Sequence, residues 1–252
     1  MKKQINFTNK KDNKKIAALV FLPDEVSTQK TDKKYPTVIF AHGFGGDYTC
    51  LEHYGDGYAE KGIVCIIFDF CGGGLKSHSD GTMKEMTILT EVDNLDSVVD
   101  EVKHLSYVDE NKIFLQGESQ GGFVSAYEAA QIEKDVDGLI LWYPALCIPD
   151  DSRRRFEEKD DTCFGTELSP EFNEVAKDID IFSVMKKYHG PVKIIHGDKD
   201  EVVSINYSKK ALEAYKNNYT EFDVLAGAGH GFVGDDTIKA RDLSIEFILK
   251  NA

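Results

Sequence analysis

The chain has 252 residues, which suits one large domain, and its charge restricts the partners of that domain. Its 44 acidic residues outnumber its 30 basic ones and give a formal net charge of −14 at pH 7. Nucleic acids and anionic membranes require clustered positive charge, so the sequence predicts neither as a partner. No run approaches the about 18 apolar residues of a membrane span, and the polar start lacks the apolar stretch of a secretory signal. We therefore expect a cytoplasmic protein, and a homodimer is one oligomeric state that the sequence leaves open.

The cysteines and the search for cofactor motifs restrict the redox compartment and the cofactors that we expect. The five cysteines, an odd number with no CxxC pair, are expected to be free thiols in a reducing compartment. No G-x-G-x-x-G follows a predicted strand, Gly74-Leu75-Lys76-Ser77 does not match a P-loop, and no histidine pair has H-E-x-x-H spacing. We therefore predict no cofactor and no metal.

Short β-rich runs alternate with helical ones, which predicts an α/β fold with a mainly parallel sheet. Two early runs, Lys3–Phe7 and Lys15–Leu22, indicate an antiparallel hairpin. Several later runs are continuously apolar, as is typical of strands covered by helices on both faces. These predicted strands are Thr37–Ala41, Ile63–Phe68, Lys112–Leu115, Gly138–Trp142, Val192–Ile195 and Glu221–Leu225.

Apolar residues at three- and four-residue spacing predict the helices. Two such patterns lie on either side of the predicted strand Lys112–Leu115, and a third pattern ends the chain. Ser204 is a candidate N-cap for a helix that contains Leu212 and Tyr215. The periodic residues are Val92, Leu95, Val99 and Val102, then Phe123, Ala126, Tyr127 and Ala130, and finally Leu243, Phe247 and Ile248.

One segment, from about Leu146 to Lys187, breaks this alternation. It is charged and only partly periodic, and so long an insertion between core strands is either a functional cap or a disordered loop. Its apolar residues, among them Phe156, Phe164 and Phe172, favour a packed cap. We therefore predict a core of residues 1–145 and 188–252 and an inserted cap, or lid, subdomain at residues 146–187.

The strongest motif is Gly117-Glu118-Ser119-Gln120-Gly121, a G-x-S-x-G that follows a predicted strand and opens a predicted helix. In that context the motif indicates a strained strand–turn–helix corner that projects the serine hydroxyl. The corner also places Ser119 at a helix N-terminus, where the macrodipole favours negative charge. Ser119 is therefore the candidate nucleophile.

A serine nucleophile needs a base that is itself oriented by an acid, in the chain order Ser, Asp or Glu, His for this corner. His230 follows the last predicted strand and Asp200 follows the strand before it, so both lie where parallel sheets place their sites. Asp198 and Glu201 are competing candidates for the acid, and Asp200 is preferred. Of the other histidines, His42 and His196 end strands and are expected to be structural hydrogen-bonding groups, while His53, His78, His104 and His189 are expected at the surface.

The reaction also needs donors for the oxyanion. The loop His42-Gly43-Phe44-Gly45-Gly46 follows a predicted strand and supplies the backbone N–H of Phe44. The residue after the nucleophile, Gln120, supplies the second N–H. The alternative interpretation of the loop is a flexible glycine turn.

Five motifs occur together over nearly the whole chain: His42-Gly43-Phe44, Asp69 to Ser77 (DFCGGGLKS), Gly117 to Gly122 (GESQGG), Gly197-x-x-Asp200 and Gly229-His230. In this combination the chain resembles the bacterial cinnamoyl (feruloyl) esterases of the α/β-hydrolase superfamily. The resemblance implies an α/β-hydrolase fold with a mostly parallel sheet of about eight strands, helices on both faces and a small inserted cap.

In the family that the chain resembles, an early acidic residue and a later tyrosine of the cap meet the phenolic end of a hydroxycinnamate. Asp150 or Asp151 matches the acidic residue, whereas Phe172 replaces the tyrosine. A phenylalanine ring stacks on another ring but forms no hydrogen bond with a phenol. Glu118 stands where such enzymes often have histidine, which disfavours anionic substrates.

These observations predict a serine carboxylesterase that hydrolyses small-molecule esters, in particular hydroxycinnamate esters, through an acyl-enzyme. The alternatives are a short-chain carboxylesterase or a thioesterase. A peptidase resembling acylaminoacyl peptidases is disfavoured, because such enzymes carry a large extra domain. A non-catalytic binding protein of the same fold is the alternative from a different class, and the presence of Ser119, Asp200 and His230 argues against it.

Overall fold

Strands and helices alternate along the chain, as predicted. The structure is a computed structural model that describes residues 1–28, 33–216 and 218–252. Its strands are β1 (Lys2–Thr8), β2 (Lys15–Phe21), β3 (Tyr35–Ala41), β4 (Val64–Phe68), β5 (Val108–Glu118), β6 (Gly138–Trp142), β7 (Thr162–Cys163), β8 (Thr166–Glu167), β9 (Val192–Gly197) and β10 (Thr220–Leu225). Its helices are α1 (Asp24–Thr28), α2 (Tyr48–Ala59), α3 (Ile88–Val102), α4 (Ser119–Gln131), α5 (Ile148–Glu158), α6 (Phe172–Ala176), α7 (Ile181–Met185), α8 (Ile205–Ala214) and α9 (Asp235–Asn251).

Within the described ranges, eight of the strands form one sheet in the order β1-β2-β4-β3-β5-β6-β9-β10. The pairs β1–β2 and β2–β4 are antiparallel and every later pair is parallel. This arrangement confirms the predicted α/β-hydrolase fold, including the hairpin at the start. Because consecutive parallel strands all end at one edge, that edge collects the loops after β3, β5, β9 and β10.

The two faces of the sheet bury separate hydrophobic clusters, because neighbouring side chains of a strand point to opposite faces. Ile39 of β3 packs with α3 and α4 on one face, and Phe40 packs with α2 and α9 on the other. The three-layer arrangement explains why β4 and β6 are apolar along their whole length.

Strands β5 and β9 extend beyond the apolar runs that predicted them. β5 begins at Val108, ahead of the predicted Lys112, because Val108 pairs with Tyr35 across an irregularity in the β3–β5 register. β9 continues to Gly197, since His196 and Gly197 pair with Val224 and Leu225 of β10. The residues at these strand ends are largely polar or glycine, so hydrophobic periodicity does not predict that they belong to the strands.

The insertion between β6 and β9 is folded. It contains α5, the β7–β8 hairpin, α6 and α7, and its residues Phe172 and Met185 join the hydrophobic cluster under α4. α5 packs against α6, and α7 packs against α4 and α8. The division of the chain into a core and a cap at residues 146–187 stays a prediction.

Two further features bear on the predicted environment. All five cysteines are free thiols, with Cys65 and Cys71 buried in the fold. Among the described helices, none has both the length and the apolarity that crossing a bilayer requires.

Candidate active site

The candidate nucleophile lies at a sharp corner between β5 and α4. Ser119 is the first residue of α4 and has a φ of 51°, in the left-handed region that non-glycine residues rarely adopt. A Cβ on Gly117 would lie 2.1 Å from the carbonyl oxygen of Gly121, and a Cβ on Gly121 would lie 2.3 Å from that of Ala41. Only glycine fits at both positions, so the spacing of the motif reflects the close approach of strand and helix.

A chain of two hydrogen bonds connects Ser119, His230 and Asp200. Nε2 of His230 lies 3.0 Å from Oγ of Ser119, and Nδ1 of His230 lies 2.8 Å from Oδ2 of Asp200. The loops after β10 and β9 bring the imidazole and the carboxylate to the corner after β5. The ring of Tyr143 packs edge-on against the imidazole, with ring centres 4.7 Å apart.

The surroundings of Asp200 distinguish it from the competing acids. Its Oδ1 accepts hydrogen bonds from the N–H groups of Val202 and Val203, at 2.9 and 2.8 Å, which fixes the carboxylate toward the imidazole. Asp198 instead accepts a hydrogen bond from the N–H of Gly227, and Glu201 is exposed. Asp200 is therefore the acid that the geometry selects.

The buried imidazole of His196 contacts the same oxygen of Asp200 as His230 does. Its Nε2 is 3.1 Å from Oδ2 of Asp200 and 3.0 Å from the carbonyl oxygen of Val203, and its Nδ1 is 2.7 Å from the Ser208 hydroxyl. Burial lowers the pKa of His196, so the ring is neutral at pH 7. His196 makes the structural hydrogen bonds predicted for it. His42 does so as well, with Nδ1 2.8 Å from the carbonyl oxygen of Gly43.

The two candidate oxyanion donors, Phe44 and Gln120, line the same cavity as Ser119. Gln120 is the second residue of α4, and N–H groups in the first turn of a helix have no acceptor within the helix. A hydrogen bond fixes the Gln120 side chain, because its Nε2 donates to the buried carboxyl of Glu91 at 2.8 Å. Burial raises the pKa of Glu91 to about 8, and the hydrogen bond from Gln120 opposes that shift.

A second carboxyl group, that of Glu118, lies beside the corner. Desolvation raises the pKa of Glu118, while the hydroxyl of Tyr143, the N–H of Gly43 and the neighbouring His230 favour its ionised form. The Tyr143 hydroxyl donates to Glu118 at 2.7 Å. Glu118 therefore connects the ring that packs on His230 to the loop that carries Phe44.

A cavity of about 80 Å³ opens above Ser119, and the insertion forms one of its walls. Apolar side chains make up most of the lining, and the charged groups are Asp151 and Arg155 of α5. The full lining is Phe44, Ser119, Gln120, Ala145, Cys147, Ile148, Asp151, Arg155, Cys163, Phe164, Phe172, Val202 and Val203.

The structure separates the residues predicted to meet the substrate. Phe172 is 2% exposed and lines the cavity, as does Asp151. Asp150 does not line it: its carboxylate accepts a hydrogen bond from the Tyr207 hydroxyl at 2.8 Å and pairs with Arg153 at the surface. Of the two acidic alternatives, only Asp151 therefore faces the cavity.

The sequence analysis did not single out Arg155, which is one of the charged residues of the insertion. The helical spacing could have indicated that Arg155 is buried. Ile148, Ser152 and Arg155 are spaced by four and three residues, so they lie on one face of α5, and all three are buried. The same reasoning missed Glu91, which no local pattern connects to Gln120.

Comparison with known proteins then identifies the family. A family model described as serine aminopeptidase, S33, matches residues 32–179. The chain belongs to this family of α/β hydrolases.

Solved structures of other α/β hydrolases share the fold over its full length. Est1E from Butyrivibrio proteoclasticus, in a structure with bound ferulic acid, is 26% identical, with a TM-score of 0.85 over 98% of both chains. An esterase from Exiguobacterium antarcticum, at 17% identity and a TM-score of 0.72, shows the fold alone over 96% of this chain and 98% of that one. The expected resemblance to feruloyl esterases of the α/β-hydrolase superfamily is confirmed.

Two relatives match most of this α/β hydrolase in sequence. A protein of Acanthamoeba polyphaga mimivirus named as an α/β hydrolase is 25% identical over 203 residues, which are 79% of this chain and 68% of the relative. A 31.7 kDa Escherichia coli protein from the traX-finO intergenic region is 26% identical over 192 residues. That match covers 76% of this chain and spans 61% of the length of the relative.

Proposed function

We propose that this α/β hydrolase is a serine carboxylesterase that works through an acyl-enzyme. The observation that carries the proposal is the hydrogen-bond chain at the base of the cavity, 3.0 Å from Ser119 to His230 and 2.8 Å from His230 to Asp200. This geometry activates a serine hydroxyl that is otherwise a weak nucleophile. The ferulic acid bound to the similar Est1E, which is 26% identical, is the acid that hydrolysis of a ferulate ester releases, and it supports an ester as the substrate.

In the proposed mechanism, Oγ of Ser119 attacks the ester carbonyl carbon while Nε2 of His230 accepts the hydroxyl proton. Asp200 orients the imidazole and stabilises the imidazolium that forms. The N–H groups of Phe44 and Gln120 donate to the oxyanion. The intermediate collapses as His230 gives its proton to the leaving alcohol, and water then repeats both steps on the acyl-enzyme.

The insertion at residues 146–187 acts in this proposal as a cap that shapes the substrate pocket. It supplies Phe164 and Phe172, and the core supplies Phe44, so three aromatic rings line the cavity. Such rings stack on the ring of a cinnamoyl group. The ferulic acid bound to the similar Est1E supports a hydroxycinnamate ester as the substrate.

A short-chain ester is the second candidate, and the cavity volume favours it. The space of about 80 Å³ is smaller than the roughly 150 Å³ that holds benzene in an engineered cavity. A butyryl chain therefore requires less movement of the cap than a feruloyl group. In both cases the chemistry at Ser119 is the same.

The test compares kcat/KM for methyl ferulate and p-nitrophenyl butyrate in the wild type and in Ser119→Ala. The substitution removes the nucleophile, so we expect a loss of at least about 1,000-fold on both esters with the fold intact. Ser125→Ala is the matched control, because Ser125 is buried in the same helix and does not line the cavity.

Each outcome of that comparison has a defined meaning. A ferulate value at or above the butyrate value supports a hydroxycinnamate esterase, and butyrate turnover with negligible ferulate turnover supports the short-chain candidate. Residual activity of more than a few per cent in Ser119→Ala would contradict the nucleophile. Because the family model is named for an aminopeptidase, alanine p-nitroanilide is the counter-substrate, and faster turnover of this amide than of either ester would refute the esterase proposal.

A further inference from the structure

The candidate active-site cavity contains a buried cation that the esterase mechanism does not use. Arg155 of α5 is 7% exposed and lines the cavity together with Ser119. Its Nε donates to Oδ1 of Asn173 at 3.0 Å, and its Nη2 reaches the Ser152 hydroxyl at 3.4 Å. Its Nη1 has no hydrogen-bond partner among the described residues, so the guanidinium has N–H groups free to bind a ligand.

No carboxylate forms an ion pair with this guanidinium. In the part of the chain that the structure describes, no Asp or Glu oxygen lies within 4.0 Å of Arg155. Its two neighbours on α5 differ, since Arg153 pairs with Asp150 at 3.2 Å and Arg154 pairs with Glu158 at 2.6 Å. The helix therefore pairs its exposed arginines and leaves the buried one unpaired.

An anion in the cavity would make this distribution more favourable. Arginine is almost never buried without a partner, and its guanidinium cannot lose its proton to escape the cost of desolvation. The uncharged oxygens of Asn173 and Ser152 accept hydrogen bonds from only some of its five N–H groups. A bound anion would replace the missing countercharge.

The surrounding side chains would strengthen such an interaction. Ile148, Phe164 and Phe172 make the cavity apolar, and a charge pair gains energy as the local dielectric constant falls. The planar fork of arginine matches the two oxygens of a carboxylate. Among the residues that line the cavity, Asp151 is the opposing charge, and its carboxylate forms no ion pair with Arg155 within 4.0 Å.

We propose that the cavity selects esters that carry a second, anionic group, of the carboxylate class, which Arg155 binds while Ser119 receives the ester carbonyl. This inference rests on the proposed esterase function and adds a substrate class to it. It reverses the expectation from Glu118 that anionic substrates are disfavoured, because Glu118 does not line the cavity and Arg155 does.

A purely structural role for Arg155 is the competing explanation, since the bond to Asn173 ties α5 to α6. A structural role would affect neutral and anionic esters equally. Binding of an anion would affect the anionic ester alone, and mainly through KM. The test therefore uses esters that differ only by the exchange of a methyl group for a carboxylate.

Two such pairs cover both sides of the ester. On the acyl side, p-nitrophenyl butyrate is compared with mono-p-nitrophenyl succinate, and on the alcohol side, 4-methylphenyl acetate is compared with 4-carboxyphenyl acetate. In Arg155→Met we expect the kcat/KM of the anionic member of at least one pair to fall about 10- to 100-fold, with its neutral partner changed less than about 3-fold. Arg154→Met, which removes a surface arginine of the same helix, is expected to leave both ratios unchanged.

An unchanged ratio in both pairs for Arg155→Met would overturn the inference. If that variant does not fold, Arg155→Lys replaces it, because lysine keeps the positive charge and lacks the planar guanidinium. We then expect a ratio of anionic to neutral kcat/KM between those of the wild type and of a variant without the charge. An unchanged ratio in both pairs would again overturn the inference.

Calorimetry on Ser119→Ala separates failure of this inference from failure of the esterase proposal, because binding needs no turnover. The anionic member of the responding pair is expected to bind more tightly than its neutral partner, and adding Arg155→Met is expected to abolish that difference. An Arg155-dependent difference in binding without turnover by the wild type would refute the esterase proposal alone. Turnover of neutral esters without any effect of Arg155 would refute the inference alone.

Discussion

At the scale of single residues, the carboxyl group of Glu118 is the least expected neighbour of the candidate triad. It precedes Ser119, accepts a hydrogen bond from Tyr143 at 2.7 Å and interacts with His230. A negative charge there favours the protonated imidazole that forms during catalysis. Glu118 is therefore a positioning and electrostatic group for the proposed base.

Replacing that charge gives a specific prediction for the rate. Without the negative charge, the imidazolium that forms as His230 accepts the Ser119 proton loses a favourable interaction, so Glu118→Gln is expected to lower kcat about 2- to 10-fold. Tyr143→Phe keeps the ring against His230 and removes a hydrogen bond that favours ionised Glu118, so it should lower kcat as well. Values of kcat equal to that of the wild type in both variants would rule out this role.

The residues of the candidate triad were predictable because their roles follow chain order and loop position. Ser119, Asp200 and His230 each follow a recognisable strand, and the structure brings all three within hydrogen-bonding distance. The choice between Asp150 and Asp151 was not predictable, since adjacent residues of a helix point about 100° apart and the phase of α5 depends on its packing.

At the scale of elements, the β7–β8 hairpin brings an exposed aromatic ring to the cavity. Its two-residue loop is Phe164-Gly165, with φ values of 47° and 76°, so both residues adopt the left-handed conformation of a tight hairpin turn. Phe164 is 76% exposed, and its ring centre lies 6.1 Å from that of Phe44. The strained turn thus places a ring at the rim of the cavity.

Removing that ring tests whether the cavity recognises aromatic acyl groups. If Phe164 stacks on a cinnamoyl ring, Phe164→Ala lowers kcat/KM for methyl ferulate about 2- to 10-fold and leaves p-nitrophenyl butyrate within about 2-fold. Phe156→Ala is the matched control, since Phe156 is an exposed phenylalanine of α5 that packs against Lys177. A rise in ferulate turnover for Phe164→Ala would show instead that the ring obstructs entry.

The elements missed by the sequence analysis share a physical cause. The predicted helices did not include α2, because Gly55 and Gly57 weaken its helical pattern. Packing requires one of these glycines, since a Cβ on Gly55 would lie 2.3 Å from the ring of Phe21. Tertiary contact therefore overrides local propensity at this helix, as it does at the polar start of β5.

At the scale of the whole molecule, two buried carboxyl groups affect stability. Glu91 of α3 is 1% exposed and Glu128 of α4 is 2% exposed, and burial raises the pKa of each to about 8. Near pH 6 the folded protein keeps both protons, whereas the unfolded chain has released them. The free energy of unfolding therefore falls as the pH rises from about 4.5 to 8, and levels off above that range.

Thermal unfolding at several pH values checks this prediction. We expect the Tm of the wild type to fall between pH 6 and pH 8.5, and Glu128→Gln to reduce the fall because its side chain stays neutral throughout. Glu91→Gln should act similarly while preserving a polar partner for Gln120. Tm curves for the variants that run parallel to that of the wild type would contradict a contribution from these groups.

Hydrophobic periodicity does not predict the order of the strands in the sheet. Hydrophobic runs located most strands to within a few residues, yet β4 lies between β2 and β3, and no local pattern contains that pairing. The family resemblance implied a mostly parallel sheet of about eight strands, but no strand order was predicted. The layering of helices on both faces could be predicted, because a strand covered on both sides is apolar throughout.

The central claim is that Ser119 is an activated nucleophile, and covalent labelling tests it most directly. The purified protein is treated with a fluorophosphonate and its intact mass is measured, together with Ser119→Ala and Ser125→Ala. We predict one adduct per chain in the wild type and in Ser125→Ala, located by peptide mapping on Ser119, and none in Ser119→Ala. An unlabelled wild type, or equal labelling of Ser119→Ala, would contradict the claim.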